Sequence, residues 1–276
     1  MEWLHRLRES ARPLARFGCV AIGTVYVAVG VLAVLALSGR LTGAADEDRM
    51  IHVLVDLPAG SVLIWTIILG MAGYVLWRAV EVISDPYDFG DDWPGIARRT
   101  AIGLSALGYG FLAFSAARIA TGNGGGGNGD ASEKEQQLLV AQVLDWPAGQ
   151  WLIGAAGLLV VLVGLAQFGV LARGAYTTEI RLDGLSRRMR RVIHLLAWYG
   201  YSARAVILCV LGYFLLRGAV ARDPEEVGDT DTAFDFIGGG TIGDAAFFVV
   251  ALGTIAYGIF MYLNARFYEF QGEPDR

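Results

Sequence analysis

Six long apolar runs constrain this chain more than any other feature. They cover roughly residues 17–38, 60–80, 100–120, 149–172, 199–221 and 243–264. A hydrocarbon layer about 30 Å thick is crossed by about 20 residues of helix, so each run is long enough to span it. None shows the alternating pattern of an outer-membrane barrel strand, and each is about twice too long for one. With no water available to satisfy backbone N–H and C=O groups, such runs must become helices. Composition agrees: only 18% of residues are charged, against about 25% in soluble domains, and the mean hydropathy is +0.48. The net charge of −5 argues against a nucleic-acid partner. The expected class is an all-α polytopic membrane protein with six transmembrane helices.

Basic residues set the expected orientation. Of the 22 Lys and Arg residues, 15 fall before run one, between runs two and three, between runs four and five, or in the tail; six fall in the alternate loops. The positive-inside bias then places both termini in the cytoplasm. The N-terminal basic stretch and Ala36-Leu37-Ser38 also fit a signal peptide with a passable cleavage site. An apolar run of about 22 residues exceeds the usual 7 to 15 of such peptides, so a retained anchor is expected. Cys19 and Cys209 lie inside runs and read as small packing residues.

Self-similarity changes how each residue is read. Val55-Asp56-Leu57-Pro58-Ala59-Gly60 returns as Leu144-Asp145-Trp146-Pro147-Ala148-Gly149, and Gly238 to Gly243 hold the same place before run six. With those glycines superposed, Gly70 falls on Gly253 and Tyr74 on Tyr257. In the odd runs Gly18, Ala101 and Gly200 coincide, as do Tyr26 with Tyr109, and Gly30 with Ala113 and Gly212. The chain therefore reads as three tandem helical hairpins: residues 1–90 with the N-terminal tail, 91–190, and 191–276 with a short tail, forming one integrated membrane domain. Two spans per repeat make every copy enter from the same side, which implies a pseudo-threefold axis along the membrane normal rather than an inverted repeat.

The turn motif Asp56, Pro58, Gly60 and its copy Asp145, Pro147, Gly149 has a local explanation. The aspartates are expected to cap the following helix, and proline is tolerated at its start. Upstream, Met50, Ile51, Leu54 and Leu57, then Leu138, Leu139, Val143 and Trp146, then Ala233, Phe234 and Ile237 predict short amphipathic lids on the outer leaflet.

Taken together, Arg16-Phe17-Gly18, the stretch from Gly70 to Arg78, Gly164 to Phe168, Tyr201 to Arg204 and Ala265 to Tyr268 resemble the bacterial membrane-protein family called domain of unknown function twelve-oh-six. The resemblance covers nearly the whole chain and departs at Pro58-Ala59-Gly60, where the family more often has Pro-Phe-Gly. It implies three two-helix repeats and a membrane location, and no activity.

Ionisable groups within spans are the functional suspects. Arg78 and Glu81 share a helix face; the repeat partners of Arg78 are Gln167 and Met261, and Arg204 aligns with Ser105 and Ile22. Arg78, Glu81, Gln167 and Arg204 form a candidate polar cluster on the cytoplasmic side. Arg187, Arg188, Arg190 and Arg191 are candidate contacts for anionic lipid, each contributing about 1 kcal/mol near the surface. Span centres lack Asp, Glu, Lys and His, which disfavours ion-coupled transport. Gly124 to Gly129 follows the dinucleotide pattern but reads as a linker. Asp229-Thr-Asp231 lacks the later ligands of a calcium loop. His5, His52 and His194 build no metal site or triad. No catalytic residue, metal or cofactor is expected. The expected role is a binding or assembly scaffold for membrane lipids, a membrane-protein partner or a second copy. The alternative is a passive channel for ions or small solutes along the pseudo-threefold axis, closed by dewetting.

Overall fold

The structure is a computed structural model that describes residues 2–37, 60–84, 90–121, 137–138, 140–177, 180, 182, 184–228, 230–239 and 243–267. Asp56, Pro58, the first amphipathic stretch from Met50, the Gly124–Gly129 run and Tyr268 lie outside these residues, as do His52 and Asp229. The described chain is almost wholly helical: α1 (Glu2–Leu37), α2 (Gly60–Ser84), α3 (Trp93–Ala120), α4 (Gly149–Ala172), α5 (Arg187–Ala221), a short α6 (Thr230–Gly238) and α7 (Gly243–Phe267). Single 3₁₀ turns occupy Ala175–Thr177 and Pro224–Glu226. No β-strand occurs among the described residues.

The helices outrun the apolar segments, chiefly on the arginine-rich side. Helix continues wherever backbone bonding and a cap permit it, whether or not the residues are apolar. Asp92 caps α3 by accepting from the Gly95 N–H at 3.1 Å, and Ser186 caps α5 by accepting from Met189 N–H at 3.2 Å. Four stretches among the described residues are long and apolar enough to cross a membrane: Arg16–Leu35, Gly149–Ala172, Arg187–Ala221 and Gly243–Phe267. The described helices expose large apolar side chains on their outer faces. Trp151 is 80% exposed, Leu107 on α3 is 71% exposed and Leu69 on α2 is 62% exposed, a pattern that in water would mark an interaction surface.

α1 packs against α2 and α7; α5 packs against α4 and α7; α2 packs against α3. Glycines set how closely these helices approach, and they do so in repeat-equivalent pairs. Within the first repeat, a Cβ on Gly18 would strike the Cβ of Tyr74; within the third, a Cβ on Gly200 would lie 2.6 Å from the Tyr257 Cα. Gly70 likewise faces Ala21, and Gly253 faces Ala203. Between repeats, Gly30 meets Ile255 and the Ala251 carbonyl, while Gly212 meets Val161 and the Gly157 carbonyl. Gly258 against Val27 has its equivalent in Gly164 against Cys209. At the α2–α3 interface the same pair of positions holds Val75 opposite Gly110, so there the small residue has changed helices. Small residues at crossings allow the backbone approach that drives association in lipid.

One expectation about the turn before α4 fails. The N-cap is Ala148, which offers no side chain to cap with, and Asp145 lies exposed three residues upstream. Backbone bonds hold the turn instead, from Trp146 N–H to the Val143 carbonyl and from Gly149 N–H to the Trp146 carbonyl. The indispensable residue is Gly149: any Cβ there would collide with the Val143 carbonyl, just as one on Gly243 would collide with the Gly238 carbonyl. Pro147 precedes the cap rather than standing in the first turn. The two cysteines are free thiols. Of the amphipathic stretches, α6 buries Ala233 and Phe234 against α7, with Phe234 and Phe247 ring centroids 5.0 Å apart.

Candidate functional site

The close approach of α5 to α7 at Gly200 decides what surrounds Arg204, one helical turn further on. Its Nη1 donates to the Tyr257 hydroxyl at 2.5 Å. The guanidinium carbon also lies 5.1 Å from the Tyr257 ring centroid, 5.8 Å from that of Tyr26 and 5.9 Å from that of Tyr109. The cage thus takes side chains from all three repeats: Tyr26 from α1, Tyr109 from α3, and Arg204 with Tyr257 from α5 and α7. Within about 6 Å each ring face attracts the cation, by about 2 kcal/mol or more where water is excluded. Edge-to-face contacts lock the rings. Tyr26 meets Tyr257 at 4.7 Å, and the repeat-equivalent pair Tyr74 and Tyr109 meets at 5.3 Å.

Arg78 and Glu81 form a second charged group beside the cage. Glu81 is fully buried and accepts from Arg78 Nη1 at 2.5 Å, while Arg78 Nε donates to the Tyr74 hydroxyl at 2.8 Å. This pair neutralises itself. Among the described residues Arg204 has no such partner: its electrostatic neighbours are all tyrosines, and Nε is buried without a hydrogen bond. The buried Tyr109 hydroxyl, beside that of Tyr26, also lacks a hydrogen bond of good geometry. An arginine within a span is costly in hydrocarbon, least near the interface, and marks a functional site by default.

Of the four polar residues grouped from the sequence, Arg78, Glu81 and Arg204 join one connected network through Tyr74 and Tyr109. Gln167 is half-buried on α4 and does not join this network among the described residues. Arg187, Arg188, Arg190 and Arg191 stand exposed in the first turns of α5, where the helix dipole disfavours cations and an external anion relieves both effects. Exposed Leu195, Trp198 and Tyr199 follow directly, as expected at a membrane interface. The tyrosine cage was not grouped from sequence, although Tyr26 with Tyr109 and Tyr74 with Tyr257 were already visible as repeat markers. Beneath it the loop after α4 turns inward. Tyr176 is buried, bonds His194 Nδ1 at 2.7 Å, and contacts the rings of Tyr201 and Phe260. Among the described residues no three His, Cys, Asp or Glu side chains are placed to hold a metal.

Fold and cluster together define a helical protein built from tandem repeats, with four helices among the described residues long and apolar enough to cross a membrane. The chain belongs to the family described as Domain of Unknown Function (DUF1206), whose sequence model matches residues 17–85, 101–174 and 199–268, one match per repeat. It is similar to an uncharacterised protein of Bacillus subtilis (strain 168), YxxB, with 29% identity over 262 residues, which cover 94% of this chain and 93% of that protein. No solved structure matches the chain.

Proposed function

We propose that this protein is a six-span binding or assembly scaffold of the bacterial inner membrane, with both termini cytoplasmic and no catalytic role. Its partners are membrane lipids, together with a membrane-protein partner or a second copy. The six spans, in α1 to α5 and α7, form a pseudo-threefold ring in which odd- and even-numbered spans alternate. Every neighbour pair that such a ring requires is in extensive contact, except α3 with α4. Equivalent glycines at equivalent crossings support the same arrangement.

The carrying observation is the cage of Arg204, Tyr26, Tyr109 and Tyr257. Side chains from three repeats converge on one guanidinium, and Tyr176, Tyr201 and Phe260 add further rings packed beside Tyr257. A cation ringed by aromatic side chains from three repeats favours holding a ligand over passing one. The exposed α5 arginines supply a surface for anionic headgroups.

Vesicle tightness tests this. Purified protein reconstituted into phosphatidylglycerol-containing liposomes is expected to leak K⁺, H⁺ and erythritol no faster than protein-free vesicles. Flux well above that background, lost in an unfolded control, would establish the passive channel in place of the scaffold.

A further inference from the structure

We propose that the Arg204 cage is a binding site for an oxyanion, of the phosphate class, drawn from a phospholipid headgroup or from free phosphate. This deepens the binding role proposed above and rests on it.

The case begins with charge. Arg204 carries a permanent cation, since a guanidinium keeps its proton in proteins. Among the described residues every group that faces it electrostatically is a tyrosine: Tyr26 from α1, Tyr109 from α3, Tyr201 from its own helix and Tyr257 from α7. The nearest carboxylate in the network, Glu81, is engaged with Arg78. The cluster therefore holds one net positive charge in a site walled by rings.

Donor geometry supplies the second part. A guanidinium presents five N–H groups in a planar fork suited to two oxygens of one anion. Here one bond goes to Tyr257, and Nε is buried with no acceptor. The buried Tyr109 hydroxyl, beside that of Tyr26, is a further O–H near the guanidinium that can turn toward an anion. Beyond the Tyr257 hydroxyl, which takes one N–H, the rings answer the charge through their faces and leave Nε without an acceptor among the described residues. An oxyanion accepts from Nε and the tyrosine hydroxyl together and cancels the charge. Phosphate fits because its several oxygens can meet donors arriving from different helices.

The test uses the full-length protein in non-ionic detergent, stripped of co-purifying lipid and assayed by native mass spectrometry and thermal midpoint. Three probes are titrated separately: dioleoyl phosphatidylglycerol, inorganic phosphate and dioleoyl phosphatidylcholine. A discrete one-to-one adduct with a raised midpoint is expected for phosphatidylglycerol, for phosphate, or for both. Phosphatidylglycerol alone identifies a headgroup site, and a response to phosphate identifies a site open to the free ion. Arg204→Met should weaken binding about tenfold or more, the loss of a charge-assisted contact. Tyr109→Phe removes only a hydroxyl, and should weaken binding several-fold without lowering the probe-free midpoint; it keeps the test decisive if Arg204→Met does not fold. Replacing Arg187, Arg188, Arg190 and Arg191 with Gln should leave the discrete adduct in place. The inference fails if neither anionic probe binds, if phosphatidylcholine binds equally well, or if Tyr109→Phe and any folded Arg204→Met bind as wild type does. Tight vesicles with no anion bound would leave the scaffold standing and sink this site alone; leaky vesicles would overturn the scaffold itself.

Discussion

Gly200→Val is expected to abolish folded protein at the yield where wild type is abundant. The Cβ alone would come within 2.6 Å of the Tyr257 Cα and 2.7 Å of its backbone nitrogen. Backbone cannot swing aside as a side-chain tip can, so α5 and α7 must separate along their contact. Overpacking a tight site typically costs about 1–3 kcal/mol and occasionally more; two further methyl groups against main chain place this substitution at the upper end. The repeat-equivalent Gly18→Val meets Tyr74 and should behave alike. Gly169→Ala is the control, because nothing lies within 4 Å of a Cβ there. Removing a helix-interior glycine should then leave stability unchanged or raise it by up to about 1 kcal/mol. Thermal unfolding followed by a thiol-reactive dye reads all three, since Cys19 is buried and Cys209 partly so in the native state.

Glu81→Ala carries the second large effect. Glu81 is 0% exposed and its partner Arg78 is 16% exposed at the side chain. Breaking one side of a buried ion pair leaves an uncompensated charge and costs about 3–5 kcal/mol. For a chain of this size that corresponds to a midpoint lowered by about 10 °C. Replacing both members, Arg78→Met with Glu81→Leu, should recover most of the loss, because the desolvation cost of both charges disappears together. If Glu81→Ala unfolds at the wild-type midpoint, the pair is not buried as described.

Much of the fold was legible because membrane insertion demands long apolar runs and because repeats expose their tight crossings as aligned glycines. Gly18 with Gly200 and Gly70 with Gly253 were readable before any coordinates, and they turn out to be the positions where helices press closest. Helix ends were less legible. α1 and α5 continue into polar sequence, which an apolar pattern cannot mark, although Ser186 stood where a cap belongs. Asp145 illustrates the opposite error: a residue with capping chemistry, placed too far upstream to use it. The site was half visible. Arg78 and Glu81 are neighbours on one helix, so spacing alone paired them. Arg204 finds its tyrosines on three other helices, and no local pattern carries that information; Gln167, the repeat partner of Arg78, was grouped with these residues and remains apart from them.

The ring of three repeats is tested most directly by disulfide trapping at its three equivalent crossings. In a Cys19→Ala background, Gly164→Cys would place a new Cβ 2.9 Å from the native Cys209 Sγ, close to the separation a disulfide needs. The equivalent pairs are Val27→Cys with Gly258→Cys, and Val75→Cys with Gly110→Cys, both with Cys209→Ala. Copper-phenanthroline oxidation in intact membranes, scored by the mobility shift that reduction reverses, should trap all three pairs within one chain. Trapping at the α4–α5 pair with none at α1–α7 or α2–α3 would contradict the ring.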